Sequence, residues 1–353
     1  MLLPTTASTV WILAIVSLLC LGSWAVTLKL AGKWRFEYFY FDFVLGILLS
    51  AGAAAFVLGS AHPQELTFQD NFTLAGYRKI AWALGSGVVM NLGTLLLLAA
   101  MTVSGMSVAF PIALGVALAI GTVWDFTSAT QTSWVLIAGG TGLLLAAVVC
   151  IALAYAWRLA DQRRTAQAPL RPDPRVKSPR ARQAGAALAI ALAVAGGIAL
   201  SVFPRVLSEA TSGENGLAPY AAVLLLAVSA LLSSPFFVLF FITFPVGGTA
   251  GNVGSYLSGT VKQHLLGVAG GVFWTAGVLT GLLAAGAPSP ARPDPLIQYG
   301  LSHGALLVAA AWGLLAWHEF RGAGDRVGML VAGMLVLVLG GLGVVAFAFS
   351  GAK

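Results

Sequence analysis

The feature that most constrains this chain is the length of its apolar runs. Trp11 to Leu30 and Leu330 to Phe349 each extend for about 20 residues, the first interrupted only by Lys29 near its end. A helix rises ~1.5 Å per residue and the hydrocarbon core of a bilayer is ~30 Å thick, so one such run makes one crossing. Strands of outer-membrane barrels instead alternate apolar and polar residues over ~10 residues, a pattern these runs lack. Charged residues make up 9% of the chain, against about a quarter in soluble domains. That excludes an ordinary globular enzyme and predicts an all-α integral membrane protein.

Reading apolar runs against polar breaks predicts ten transmembrane helices. Five lie near 9–30, 39–59, 80–100, 104–124 and 133–157, and five near 184–203, 218–244, 264–286, 297–317 and 328–350. The first run is too long for the apolar core of a secretion signal and no Lys or Arg precedes it, so it is read as a retained crossing. Between the two sets, 158–183 is rich in Arg, Pro and Ala without apolar periodicity, the composition of a disordered connector. The expected organisation is therefore 1–157 as a first half, 158–183 as a basic cytoplasmic linker and 184–353 as a second half.

Charge sets the expected orientation. With the N-terminus outside, the inner face holds fourteen of the 19 Lys and Arg: eight in 158–183, with Lys29, Lys33, Arg35, Lys262, Arg321 and Arg326. Arg78, Lys79, Arg205, Arg292 and Lys353 stay outside. The positive-inside bias then favours a multi-pass protein of the cell (inner) membrane with both termini outside. The net charge of +7 is accounted for by loops facing anionic membrane lipid, and no nucleic-acid partner is expected. Cys20 and Cys150 lie inside apolar runs, which indicates no disulfide framework.

Five helices on each side of the linker require the second half to enter the membrane in the opposite sense, the arrangement of inverted transporter repeats. At an offset of 194, Asp125-Phe126 falls on Glu319-Phe320, and Leu136, Ala138, Gly139, Leu143 and Leu145 fall on Leu330, Ala332, Gly333, Leu337 and Leu339. At an offset of 184, Gly87-Val88, Asn91 and Gly93 fall on Gly271-Val272, Thr275 and Gly277. The proline-rich loop 284–295, in place of the tight turn near 101–105, accounts for the change of offset.

Several stretches carry a family resemblance: Leu21-Gly22-Ser23-Trp24, Leu28 to Arg35, Tyr40-Phe41-Asp42-Phe43, Asn91-Leu92-Gly93, Gly105-Met106-Ser107-Val108, and Trp312-Gly313-Leu314-Leu315 leading to Glu319-Phe320-Arg321. They resemble plant ureide permeases and their bacterial relatives, in the drug/metabolite transporter superfamily near its glucose/ribose porters. The resemblance implies a secondary transporter in which four helices of each half line the solute path and the fifth braces them.

Polar groups within the apolar runs are the candidates for chemistry, because ionisable residues in hydrocarbon are costly and usually face a cavity or a partner. Asp42, about one turn into the second helix, reads either as a proton carrier pairing with Lys29 or Lys33, or as a first-turn acid favoured by the helix dipole. His303, two turns into the ninth, is deeper than the other histidines and is the second candidate for proton coupling. His62, His264 and His318 lie near helix ends and are set aside. Gly87, Asn91 and Thr94 recur at i, i+4 and i+7 as one polar stripe, which lines a solute path or bonds a neighbouring helix. Ser107 and Pro111 share a face of the fourth helix, where the proline frees a carbonyl. Trp274 and Thr275 mirror Met90 and Asn91, so an aromatic wall is expected opposite the polar stripe. Trp24, Tyr40 and Tyr299 are further aromatic candidates for the solute.

The fifth and tenth helices carry almost no hydrogen-bonding side chains and are expected to pack outside the path, with Gly139, Gly142, Gly333 and Gly340 permitting close approach. The Gly-rich stretch 247–254 lacks the Gly-Lys-Ser/Thr ending of a phosphate loop and reads as an inner gate or linker. No His-Glu-x-x-His box or paired acids point to an intramembrane enzyme, and no metal or cofactor is expected. The expectation is proton-coupled uptake of a small neutral or weakly acidic solute, ureide- or nucleobase-like, by alternating access. Sugar uptake of the glucose, ribose or rhamnose type, drug or metabolite export, and a channel or structural membrane protein are the alternatives.

Overall fold

The computed structural model describes residues 3–61, 67–128, 133–166, 179–247, 249–288, 291, 301 and 303–350. Among them there are helices and turns and no strands. The helices are α1 (Ala7–Ser23), α2 (Val26–Leu30), α3 (Phe36–Val57), α4 (Phe68–Leu74), α5 (Tyr77–Ser104), α6 (Met106–Ser128), α7 (Trp134–Ala166), α8 (Pro179–Thr211), α9 (Pro219–Thr243), α10 (Val261–Ala285), α11 (Ala305–Ala311) and α12 (Asp325–Ser350). Eight of these, α3, α5 to α10 and α12, are long and apolar enough to cross a membrane, so the chain is a multi-pass membrane protein. The two remaining expected crossings correspond to shorter apolar helices, Ala7–Ser23 and Ala305–Ala316.

Local chemistry explains these boundaries. The Thr6 side chain caps α1 by accepting from the Thr9 amide, and Thr67 with Asp70 and Thr260 with Gln263 form capping boxes ahead of α4 and α10. The expected first crossing, 9–30, is two helices. At the break the Trp24 carbonyl accepts from the Thr27 amide, three residues on, at 3.3 Å and from Thr27 Oγ1 at 2.7 Å. The ninth ends in a π turn, Trp312–Ala316, and His318 adopts φ 47°, a costly conformation outside glycine. The expected connector also starts late: Arg158, Leu159, Ala160 and Gln162 are good helix formers, and they carry α7 on to Ala166, while α8 is already helical from Pro179.

Two compact units form. One comprises Met1–Leu95 with Ala199–Val308, the other Leu96–Ile198 with Ala309–Lys353. In the first, α3 packs on α9 and α10, and α1 packs on α10. Gly46 and Gly271 set the α3–α10 approach, since a Cβ on either would collide with backbone atoms of the other helix. Phe39, Tyr40 and Phe43 of α3 are fully buried, and Phe43 meets Trp24 with ring centroids 4.9 Å apart. In the second unit α7 packs along α12 and α6 against α7. The glycines at that seam are Gly140 and Gly341, whose added Cβ atoms would meet Val345 and Leu144. Gly139, Gly142 and Gly333 face open space, and a Cβ on Gly340 would make only ordinary contact. The expected close approach is therefore real but one residue out of register.

Candidate functional site

In the first unit, the start of α3 carries the densest polar cluster. Arg35 is extended at the N-cap and donates to Glu37 through Nη2 at 2.8 Å and Nε at 3.3 Å. That bond to Glu37 holds the guanidinium above its ordinary range, against the opposing effect of burial. Helix α3 begins at Phe36, three residues before the expected start, so Glu37 occupies the first turn and Asp42 lies in the second. Asp42 is thus neither an N-cap nor a first-turn acid, and its side chain is 4% exposed.

The hydrogen-bond partners of its carboxylate come from distant sequence and, among the described residues, are not lysines. Tyr256 Oη donates to Oδ1 at 2.6 Å and His264 Nδ1 lies 2.8 Å from Oδ2. Tyr256 belongs to the 3-10 turn Val253–Ser258 between α9 and α10, and His264 to the first turn of α10. Burial pushes the Tyr256 hydroxyl up to about 12, with the bond to Asp42 and its charge acting in the same direction. Tyr256 also stacks edge-on against His264 at 4.8 Å, and Trp34 flanks His264 at 5.5 Å. A Cβ on Gly267 would collide with Asp42 Cβ, so this glycine lets α10 reach the carboxylate. Sequence reasoning set His264 aside as a terminal residue. The readable signal was the Thr260–Gln263 capping box, which starts α10 at Val261 and puts His264 inside the helix.

Asn91 is fully buried in α5. Its Nδ2 donates to the Ala230 carbonyl at 3.0 Å and to Ser233 Oγ at 2.7 Å, both on α9, and its own carbonyl accepts from Tyr40 Oη at 2.9 Å. Gly87 makes the same face narrow, because a Cβ there would collide with Ser229 Oγ and Leu226 O of α9. The stripe therefore binds a neighbouring helix through one side of the amide, and Asn91 Oδ1 stays buried with no hydrogen-bond partner among the described residues. Two acceptors fix the NH2 group on the α9 side, so the amide presents an acceptor on its other side. Thr94 Oγ1 contacts Met90 Sδ at 3.4 Å in its own helix.

The other expected residues are dispersed. Trp274 is buried and its ring pairs with Phe203 of α8 at 6.1 Å, while Thr275 Oγ1 donates to Ile47 O at 3.5 Å on α3. Each has its partner on a helix other than the one carrying the Asn91 stripe. Trp24 packs on Phe43, His303 is half-buried just before α11, and Tyr299 lies outside the described residues.

Ser107 and Pro111 belong to the second unit. There Glu319 accepts from the Met106 and Ser107 amides at 2.9 and 2.6 Å, capping α6 from more than 200 residues away. Gly105 at φ 91° and Gly313 make room for that carboxylate: a Cβ on Gly105 would stand 2.9 Å from it, and one on Gly313 would strike Ser107 Oγ. Among the described residues, Ser107 Oγ is buried without a partner. The sequence marked Glu319 as a repeat boundary and as part of the family resemblance, not as a cap; its role depends on the π turn and on His318, neither of which has a local sequence signature.

A groove of ≈ 490 Å³ in the second unit is lined by Ala119, Ile120, Val123, Trp124, Thr141 and Leu145. One hydroxyl among apolar side chains suits an acyl chain better than a polar solute, and no candidate residue lines it. Among the described residues no group of His, Cys, Asp and Glu has the arrangement of a metal site.

No family model matches the chain. A solved crystal structure covers 99% of this chain and 100% of its own with TM-score 0.51 and 15% identity, a likeness of fold. Over 115 residues the chain is 30% identical to Ureide permease 3 of Arabidopsis thaliana, a match that spans 32% of this chain and 33% of that protein.

Proposed function

We propose that this protein is a secondary active transporter of the drug/metabolite transporter superfamily, taking up a small, neutral or weakly acidic, nitrogen-rich solute of the ureide or nucleobase kind with protons. The observation that carries the reading is the similarity to Ureide permease 3, in a chain whose described residues include eight helices long and apolar enough to cross a membrane. Asn91 supports the solute class. A fully buried acceptor with no donor is costly, and solutes rich in N–H groups supply such a donor. Asp42 supports proton coupling, since a buried carboxylate in a crossing helix is by default a functional group.

The sequence matches at offsets of 184 and 194 between the two sides of residues 158–183 support a duplication inserted in opposite sense. In this reading the halves rock about a mid-membrane site. Asn91, Thr94, Trp24, Trp274, Thr275, Ser107, Pro111, Tyr299 and His303 are the solute-contacting candidates, with the linker on the cytoplasmic side.

Uptake of labelled allantoin, uracil, ribose and glucose into cells expressing the protein, with and without a protonophore, tests this. The expected result is uptake of allantoin or uracil that the protonophore abolishes. Transport of ribose or glucose instead would establish sugar uptake, and no uptake of any of the four would sink the proposal.

A further inference from the structure

The segment 249–260 crosses the start of α3 and is pinned there at several points. Arg35 Nη1 donates to Thr249 O at 3.0 Å, Tyr38 Oη to Asn252 O at 2.7 Å, and Tyr256 Oη to Asp42 Oδ1 at 2.6 Å. The Tyr256 ring also meets Phe41 edge-on at 5.7 Å. The pins differ in kind. The first two end on neutral backbone carbonyls, whereas the third ends on a buried carboxylate, and only this acceptor changes when a proton binds.

We propose that Asp42 and His264 form a proton-binding site whose occupancy releases the 249–260 strap. This rests on the transport reading above and adds to it His264, Tyr256 and a moving part.

The site has an outside and an inside. The His264 side chain is 27% exposed and that of Asp42 4%. A Cβ on Gly259 would stand 2.6 Å from His264 Nε2, so a glycine there leaves room for the imidazole. A proton taken up at Nε2 lets Nδ1 pass its own proton to Asp42 Oδ2, which leaves the imidazole neutral and the carboxyl protonated. While Asp42 is ionised, its bond from Tyr256 is charge-assisted; once protonated it offers a neutral acceptor of roughly half the strength. Tyr256, at about 12, stays a donor throughout and does not itself titrate. The groups facing Asp42 are Tyr256 from the strap and His264 from α10; on α3 Glu37 is paired with Arg35, and Lys29, Lys33 and Lys262 are the nearby cations by sequence.

Amide hydrogen exchange on the full chain in lipid nanodiscs, without solute, reads the latch directly. After correction for intrinsic rates, exchange across 249–260 is expected to be about tenfold faster at about pH 5.5 than at about pH 8. Tyr256→Phe keeps the ring contacts and removes the bond; it should exchange fast at both pH values, and Asp42→Asn likewise. Unchanged exchange in α7 and α12 checks that the variants fold. A wild-type strap indifferent to pH, or a Tyr256→Phe strap that keeps the pH dependence, overturns the proposal. Because no solute is present, a working latch in a protein that fails every uptake assay separates this inference from the transport reading.

Discussion

Asn91 joins three helices through one side chain and one carbonyl: its amide binds α9, and its backbone oxygen takes the Tyr40 hydroxyl from α3. Replacing it with Ala removes both donated bonds, and the unfolding free energy is expected to fall by about 2 kcal/mol. Ser233→Ala removes one acceptor and leaves Ala230 O in place, so about 0.5–1 kcal/mol is expected there. Denaturant unfolding in one detergent orders the pair, and a larger loss for Ser233→Ala would contradict the bonding described. The spacing of Gly87, Asn91 and Thr94 was legible in the sequence as a stripe. Its direction was not, because i, i+4 periodicity says which residues share a face and nothing about which helix that face meets. The same limit hid the Asp42 cluster. Asp42, Tyr256 and His264 are more than 200 residues apart between α3 and the strap and α10, and only tertiary packing makes them neighbours.

At the scale of elements, hydropathy gave most of the helices, since a membrane crossing imposes a minimum apolar length. It missed interruptions inside apolar sequence, such as the α1–α2 break at Trp24 and the π turn at Trp312–Ala316, which hydrogen bonding decides and composition does not. The α7–α12 seam shows the same division. Small residues announced that these helices approach each other, but the run Gly139-Gly140 and the run Gly340-Gly341 each admit two registers. Packing selects Gly140 and Gly341, where a Cβ on Gly341 would lie 2.8 Å from Leu144 Cγ and 3.1 Å from Gly140 O. Gly341→Ala should therefore destabilise by about 1–3 kcal/mol through overpacking. Gly333→Ala meets open space and should be neutral or stabilising by up to about 1 kcal/mol from helix propensity. Thermal unfolding of both variants checks this; equal melting temperatures would mean that the seam is not where the structure puts it.

For the whole molecule, proton coupling has a consequence that separates it from mere dependence on a folded Asp42. A symporter returns its empty site across the membrane only after releasing its proton, whereas solute exchange needs only the loaded site to move in both directions. Asp42→Asn mimics a carboxyl that never releases its proton and retains an oxygen for the Tyr256 hydroxyl. The loaded carrier should then still exchange labelled for unlabelled solute, within about threefold of wild type. Accumulation driven by an imposed pH gradient should fall by at least about tenfold, the factor that a 1.4 kcal/mol bias between the two states corresponds to. Proteoliposomes measure both on one preparation. Loss of both activities together would assign Asp42 to the fold, and full accumulation would place the coupling group elsewhere. Retained exchange with lost accumulation is the outcome that requires the buried carboxylate beneath the strap to be the group that carries the proton.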